Sequence, residues 1–190
     1  MNVPNQLTVI RLMLTVLMVI FYTIFPDLLF TPFVILGFFA LGSLTDFLDG
    51  FIARRKNLVT NFGKLMDPVA DKILVLSAIM ILIQIGTVPY WTMLIVLFRE
   101  ILVLGIRMLA LEIDKSNVIA ADIFGKIKTL TQMVSIIMIF TLIGLNNYYA
   151  SDVINVLDII AHVLFYVSVG FTVLSGAEIV YKNRKNLKDF

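Results

Sequence analysis

The sequence has no cysteine and only one histidine, His162, in 190 residues. The absence of cysteine excludes disulfides, zinc fingers, thiol nucleophiles and iron–sulfur ligation. Any metal ion must therefore be bound by oxygen ligands or by His162. Oxygen ligands are typical of hard cations, so the composition favours magnesium or manganese.

Charge is also scarce, since Asp, Glu, Lys and Arg make up 15% of the chain whereas hydrophobic residues make up 60%. The mean hydropathy is +0.99. A soluble domain has about a quarter charged residues, and one of this length has too little core volume to bury so much apolar surface. These values exclude a soluble enzyme. Six membrane-spanning helices of about 20 residues fit the length, so we predict one all-α integral membrane domain over residues 1–190.

The basic residues are segregated along the chain, because residues 12–53, 73–98 and 129–181 contain no Lys or Arg. The first and third intervals are long enough for two membrane crossings each, the second interval covers the outer parts of two helices, and cytoplasmic loops collect basic residues. The pattern predicts three helical hairpins in the cytoplasmic membrane, with both termini on the cytoplasmic side. A short interfacial segment at residues 1–7 is expected to precede the first span. The six helices are expected at about 7–25, 29–51, 66–85, 88–111, 124–145 and 153–181.

Four aspartates form two pairs near the predicted cytoplasmic ends of the second and third helices: Asp46 with Asp49, and Asp67 with Asp71. The i,i+3 and i,i+4 spacings place each pair on one helix face, and the short connection makes the two helices antiparallel neighbours. Four converging carboxylates repel one another unless one or two divalent cations neutralise them. Two cations suit displacement at phosphorus. Helix-end caps paired with nearby basic residues, or an ion or proton pathway, are the alternatives.

The sequence also indicates the depth of this site and a polar ligand for it. Asp46 precedes Arg54 by two helical turns, about 12 Å, which puts the aspartates just below the lipid headgroups. Gly50 allows a ligand close to the backbone, and Gly63 is expected to free the loop that turns into the third helix. Arg54 can form a forked contact with a diphosphate.

Residues 46–71 resemble the signature of the CDP-alcohol phosphotransferase family: Asp46-x-x-Asp49-Gly50-x-x-Ala53-Arg54, eight residues, then Gly63-x-x-x-Asp67-x-x-x-Asp71. The resemblance implies a six-helix membrane enzyme, usually dimeric, in which two divalent cations (Mg²⁺ or Mn²⁺) bind the diphosphate of a CDP-linked substrate. It implies that Asp46, Asp49, Asp67 and Asp71 bind the metal ions and that Asp71 is also the general base. The implied CDP-lipid site comprises Asn5, Asp46, Gly50, Ala53, Arg54 and Gly63.

Three further stretches narrow the resemblance: residues 2–11, Arg99-Glu100 with Arg107, and residues 125–132. They are similar to the branch of the family that transfers a phosphatidyl group from CDP-diacylglycerol to glycerol 3-phosphate. Four basic residues in the last two stretches face a single acid, Glu100: Arg99, Arg107, Lys126 and Lys128. Their surplus positive charge is expected to bind the acceptor's phosphate. The alternative is a structural network in which Glu100 neutralises one arginine.

Other functions and partners remain open at this stage. The same chemistry with inositol phosphate, serine or phosphatidylglycerol is one alternative, and a small cation transporter is another.

The basic tail, residues 182–188, is expected to attract anionic lipid, and no nucleic-acid partner is expected. His162 is predicted to be a packed, hydrogen-bonded residue and not a metal ligand. Glu178 is left without a role beyond a contact with a basic neighbour.

Overall fold

The computed structural model of the protein describes residues 3–56, 61–113, 123–149 and 151–183. Within those ranges the regular structure consists of six α-helices, which confirms the predicted helix count. The helices are α1 (Val3–Ile24), α2 (Thr31–Lys56), α3 (Asn61–Ile85), α4 (Tyr90–Ile113), α5 (Ile123–Asn146) and α6 (Asp152–Asn183).

Three predicted boundaries are wrong by four or five residues. The second helix ends at Lys56 and not near residue 51. The first helix begins at Val3, so residues 3–7 continue α1 and do not form a separate segment. Pro4 permits this because a proline in the first helical turn removes no intrahelical hydrogen bond. The third helix begins at Asn61, so Gly63 lies within α3 and not in a loop before it.

The surface of the helix bundle is unlike that of a soluble protein. Large apolar side chains are exposed, among them Phe98 at 70% and Leu130 at 66%. Several polar side chains are buried together with the apolar core, including Thr8, Arg11, Thr15, Lys128, Gln132, Ser135, Ser168, Thr172 and Ser175. Among the described residues, three helical segments are long and apolar enough to cross a membrane: Asn5–Ile24, Ile127–Asn146 and Asp152–Lys182. The chain is therefore a membrane protein, with polar groups in the bundle interior.

The most extensive helix contacts are those of α1 with α2 and of α5 with α6. α3 packs more against α1 than against α4, α4 packs more against α6 than against α3, and α2 also contacts α3 and α5. The interior is formed by aliphatic and aromatic side chains from several helices, including Ile35, Phe39, Leu74, Ile79, Ile136, Phe140 and Phe165. The first and third predicted helix pairs are therefore the main packed pairs, whereas α3 and α4 are in contact but each packs more against another helix.

α2 and α3 approach each other closely near two of the predicted aspartates, Asp46 and Asp71. A Cβ atom at Gly42 would lie 2.8 Å from Leu74 Cδ2, so a larger residue at position 42 would collide with α3. Asp46 comes one turn after Gly42, and Asp71 comes almost one turn before Leu74. Because α2 and α3 are predicted to be antiparallel, the two faces that meet at this contact carry Asp46 and Asp71.

Candidate active site

Asp46 is joined to the first helix by an ion pair. Its carboxylate Oδ1 lies 2.9 Å from Arg11 Nη1, and Arg11 is completely buried whereas the Asp46 side chain is 41% exposed. Arg11 Nε also donates to Thr45 Oγ1 at 3.5 Å. A buried guanidinium needs an anionic partner, so α1 fixes the position of Asp46 on α2.

The sequence alone did not predict a role for Arg11 at the site. One signal was present, since Asn5, Thr8 and Arg11 recur at three-residue spacing in an otherwise apolar segment. All three are buried on α1. Asn5, predicted to bind the CDP-lipid, belongs to this buried polar face.

Asp71 has one carboxylate oxygen that is paired and one that is not. Oδ2 lies 3.3 Å from Nζ of the adjacent Lys72. Oδ1 is buried and has no hydrogen-bond partner among the described residues. An unpaired buried carboxylate oxygen is costly. It is therefore well suited to accept a proton or to bind a cation.

Glu100 on α4 is the centre of a charged cluster that joins three helices. Its Oε2 lies 2.9 Å from Lys72 Nζ on α3, and its Oε1 lies 3.3 Å from Arg99 Nη1. Lys128 Nζ, on α5, also contacts Oε1. The predicted alternative had Glu100 neutralise one arginine, but the structure shows contacts with three cations. We call Lys72, Arg99, Glu100 and Lys128 the Glu100 cluster.

The Glu100 cluster extends to α6 and carries excess positive charge. Arg99 Nη2 donates to Ser175 Oγ at 2.6 Å. Three cations thus face Glu100, and the nearest further carboxylate among their described contacts is that of Asp71. A net positive charge remains even when Asp71 is counted. This arrangement provides charge for an anionic ligand.

The remaining predicted site residues lie on the same four helices, but their side chains are outside the described part of the structure. They are Asp49, Gly50, Ala53 and Arg54 on α2, Gly63 and Asp67 on α3, Arg107 on α4, and Lys126 on α5. Among the described side chains, no three Asp, Glu or His residues form a potential metal site. Asp46 and Asp71 are the two members of the aspartate set that the structure describes.

The two polar residues of α6 that were left apart from the site have local partners. His162 Nδ1 lies 2.8 Å from the Asp158 carbonyl oxygen and 3.3 Å from its carboxylate. The prediction of a hydrogen-bonded histidine is confirmed. Glu178 pairs with Lys182 one turn later, as expected for a contact with a basic neighbour.

The Glu100 cluster leads to a prediction about stability. Glu100→Gln removes the negative charge that faces three cations, and breaking a buried ion pair in this way costs about 3–5 kcal/mol. Lys72 is 37% exposed and is partly hydrated, so we expect a smaller loss, about 2–3 kcal/mol. Thermal unfolding of the purified protein in detergent measures the change.

Glu178→Gln is the matched control, because it removes the same charge from a pair whose lysine is 62% exposed. Its effect should stay within about 0.5 kcal/mol. The double variant Glu100→Gln/Lys128→Met should regain part of the lost stability, since it also removes a buried cation. Equal unfolding temperatures for both glutamate variants would contradict the buried cluster.

The chain matches the CDP-alcohol phosphatidyltransferase family over residues 1–174. It therefore belongs to that family, as the signature at residues 46–71 predicted, and it is a transferase.

Several curated relatives share one name, CDP-diacylglycerol–glycerol-3-phosphate 3-phosphatidyltransferase. The protein of that name from Bacillus subtilis (strain 168) is 38% identical over 153 residues, which cover 79% of this chain and 73% of the relative. The one from Wigglesworthia glossinidia brevipalpis is 33% identical, covering 88% and 95%. The one from Rickettsia felis is 34% identical, covering 92% and 91%.

Proposed function

We propose that this protein transfers the phosphatidyl group of CDP-diacylglycerol to glycerol 3-phosphate, giving phosphatidylglycerol phosphate and CMP. The names of the relatives support this reaction. The structural observation that carries the proposal is the positive charge of the Glu100 cluster next to Asp71. A phosphorylated acceptor is a dianion, so it is bound well where a base and surplus cations lie together.

Asp71 is the general base in this proposal. Its unpaired Oδ1 accepts the proton of the acceptor hydroxyl as the hydroxyl oxygen forms a bond to the lipid-linked phosphorus. The bond between that phosphorus and the oxygen bridging it to CMP breaks, and CMP leaves with the bonding electrons. The cations of the Glu100 cluster, together with Arg107 and Lys126, hold the acceptor's phosphate during this step.

The described aspartates fit a divalent cation. Asp46 is partly exposed, and Asp71 keeps a carboxylate oxygen without a hydrogen-bond partner, both being the hard oxygen ligands that Mg²⁺ and Mn²⁺ prefer. With Asp49 and Asp67, these residues would hold two cations. When bound, such ions neutralise the diphosphate and stabilise the charge that develops on departing CMP.

The CDP-lipid site is proposed to lie along α1 and the last turns of α2. It comprises Asn5, Asp46, Gly50, Ala53 and Arg54, with Gly63 on α3. The Arg11–Asp46 ion pair supports this arrangement because it fixes one member of the set from a neighbouring helix. Arg11 is then a positioning residue for Asp46.

The membrane arrangement is proposed from the charge pattern. All six helices span the cytoplasmic membrane, both termini are cytoplasmic, and residues 1–190 form one domain whose active site faces the cytoplasm. The absence of Lys and Arg from residues 12–53, 73–98 and 129–181 supports this topology. We further propose a homodimer, with the basic residues 182–188 in contact with anionic lipid.

Acceptor-dependent release of CMP tests the function. The purified protein is supplied with CDP-diacylglycerol and Mg²⁺, and CMP is measured with glycerol 3-phosphate, inositol phosphate, serine or phosphatidylglycerol as acceptor. Release only with glycerol 3-phosphate supports the proposal, whereas preference for another acceptor overturns the choice of substrate. Cation flux into liposomes without CMP release would instead support a transporter.

Substitution of Arg107 or Lys126 should weaken the use of glycerol 3-phosphate much more than that of CDP-diacylglycerol. Arg107→Ala or Lys126→Ala removes one charge-assisted phosphate contact, worth about 1.5–3 kcal/mol, or roughly a 10- to 150-fold loss of kcat/KM for glycerol 3-phosphate. The KM for CDP-diacylglycerol should change much less. Lys182→Ala is the control, because Lys182 pairs with Glu178 on α6. Equal weakening of both substrates would show that Arg107 and Lys126 only support the fold.

A further inference from the structure

A small polar cavity lies between α3, α4 and α5, beside the Glu100 cluster. Its volume is about 10 Å³, close to the smallest space that holds one water molecule. A phosphate group is too large for this space, but a hydroxyl group is not. Besides aliphatic side chains, the cavity is lined by Asp71, Lys72, Glu100, Lys128, Thr129 and Gln132.

The mechanism leaves two polar residues of this cavity unused. Thr129 donates to the Gly125 carbonyl oxygen at 2.9 Å, and the other residue is Gln132. It is only 3% exposed, and its amide nitrogen Nε2 has no hydrogen-bond partner among the described residues. Buried polar groups are normally hydrogen-bonded, so an unpaired amide donor is unfavourable unless a ligand accepts its hydrogen bond. A leucine of similar volume would fill the same space without that cost.

Two of the side chains that line the cavity thus each have one unused polar atom, a donor and an acceptor. Gln132 Nε2 is the donor, and Asp71 Oδ1, also buried and unpaired, is the acceptor. A hydroxyl group satisfies both, because its oxygen accepts one hydrogen bond while its proton is donated to another group. Lys72, on the same cavity wall, is partly exposed, so the charged end of the ligand can remain toward the open side.

We propose that Gln132 is a further acceptor-binding residue, whose side-chain amide donates a hydrogen bond to the attacking hydroxyl of the phosphorylated acceptor. This inference rests on the proposed function and extends it. One lone pair of the hydroxyl oxygen accepts from Gln132 and another forms the new bond to phosphorus, while the proton passes to Asp71 Oδ1. Gln132 thereby selects acceptors whose hydroxyl and phosphate are held in a fixed relation.

The main test compares Gln132→Leu with the wild type. The variant removes the donor and retains the volume, so the KM for glycerol 3-phosphate should rise roughly 3- to 10-fold, the share of one neutral hydrogen bond. The KM for CDP-diacylglycerol should not change. The thermal unfolding temperature should stay equal or rise, because an unpaired buried group has been removed.

A second measurement uses 2-hydroxypropyl phosphate, which is glycerol 3-phosphate without the attacking hydroxyl. By calorimetry, the wild type should bind glycerol 3-phosphate several-fold more tightly than this analogue, and Gln132→Leu should show a smaller preference, because only the hydrogen bond to Asp71 remains. Ser168→Ala is the control. It removes a buried hydroxyl of α6 that donates to the Phe165 carbonyl oxygen, and it should retain the wild-type preference.

Several outcomes would overturn the role of Gln132. One is that the wild type binds glycerol 3-phosphate and 2-hydroxypropyl phosphate equally tightly. This comparison requires no variant. Another is a Gln132→Leu protein that unfolds at a lower temperature and loses affinity for both substrates equally, as expected of a structural residue. An unchanged KM for glycerol 3-phosphate is a third. Absence of CMP release by the wild type with this acceptor would instead contradict the proposed function itself.

Discussion

Replacing Asp71 by asparagine should lower turnover by about 10²- to 10⁴-fold, the contribution of a general base, while CDP-diacylglycerol still binds. Asparagine keeps the size of the side chain and one carbonyl oxygen, but it cannot take a proton from the acceptor hydroxyl. The unpaired Oδ1 is the atom that this substitution affects most directly. Single-turnover rates and equilibrium binding of CDP-diacylglycerol measure the two quantities separately.

The other aspartates provide the contrast for this experiment. Asp46→Ala or Asp67→Ala should lose metal and nucleotide-lipid binding together, because these residues are proposed as ligands and not as bases. Near-normal turnover of Asp71→Asn would show that another group is the base. Loss of CDP-diacylglycerol binding by Asp71→Asn, to the extent seen for Asp46→Ala, would make Asp71 only a metal ligand.

Composition and charge segregation predicted the helix count because both reflect the solvent around each segment. Long intervals without Lys or Arg coincide with the apolar parts of the helices, as in α6, which contains none before Lys182. The helix ends were less predictable. Residues at the predicted cytoplasmic ends are polar enough to suggest loops, yet the helical backbone continues through Asp49–Lys56 and from Asn61. Helical hydrogen bonds do not require an apolar side chain.

The partners of the site residues could not be predicted from spacing. Helical periodicity identifies which residues share a face, but it does not identify the helix that the face meets. Arg11 and Asp46 are 35 positions apart, and the three-residue spacing of Asn5, Thr8 and Arg11 indicates a polar face without identifying α2 as its partner. The position of Lys72 in the sequence likewise does not indicate that its side chain reaches Glu100 on α4.

The sequence also could not show that the side-chain amide of Gln132 lacks a hydrogen-bond partner. A glutamine in an apolar helix is visible in the sequence, but whether its amide is already satisfied depends on the helices packed around it. Thr and Ser residues of the same bundle donate to carbonyl oxygens of their own helix, as Thr172 does to Ser168 at 2.8 Å. Gln132 Nε2 finds no such partner among the described residues. Only the tertiary structure separates these two cases.

Removal of divalent cations should abolish activity completely. The four aspartates of residues 46–71 would otherwise place like charges beside the diphosphate of the substrate, and the chain offers no cysteine and only one histidine as other ligands. His162 contacts Asp158 on α6, so it already has a partner outside this set. Exhaustive chelation of the purified protein, followed by assay of CMP release, tests the requirement.

The choice of metal should follow from coordination geometry. Mg²⁺ and Mn²⁺ should restore the activity, and Ca²⁺ should restore it poorly, because Ca²⁺ takes six to eight oxygen ligands at longer and more variable distances than Mg²⁺. A readout that does not depend on turnover is protection from thermal unfolding, since an ion that binds only the folded protein raises its stability. Mg²⁺ should protect the wild type but not Asp46→Ala, and Lys182→Ala should behave as the wild type. Full turnover after chelation, or equal protection of wild type and Asp46→Ala, would show that the aspartates of α2 and α3 serve the protein without a metal ion.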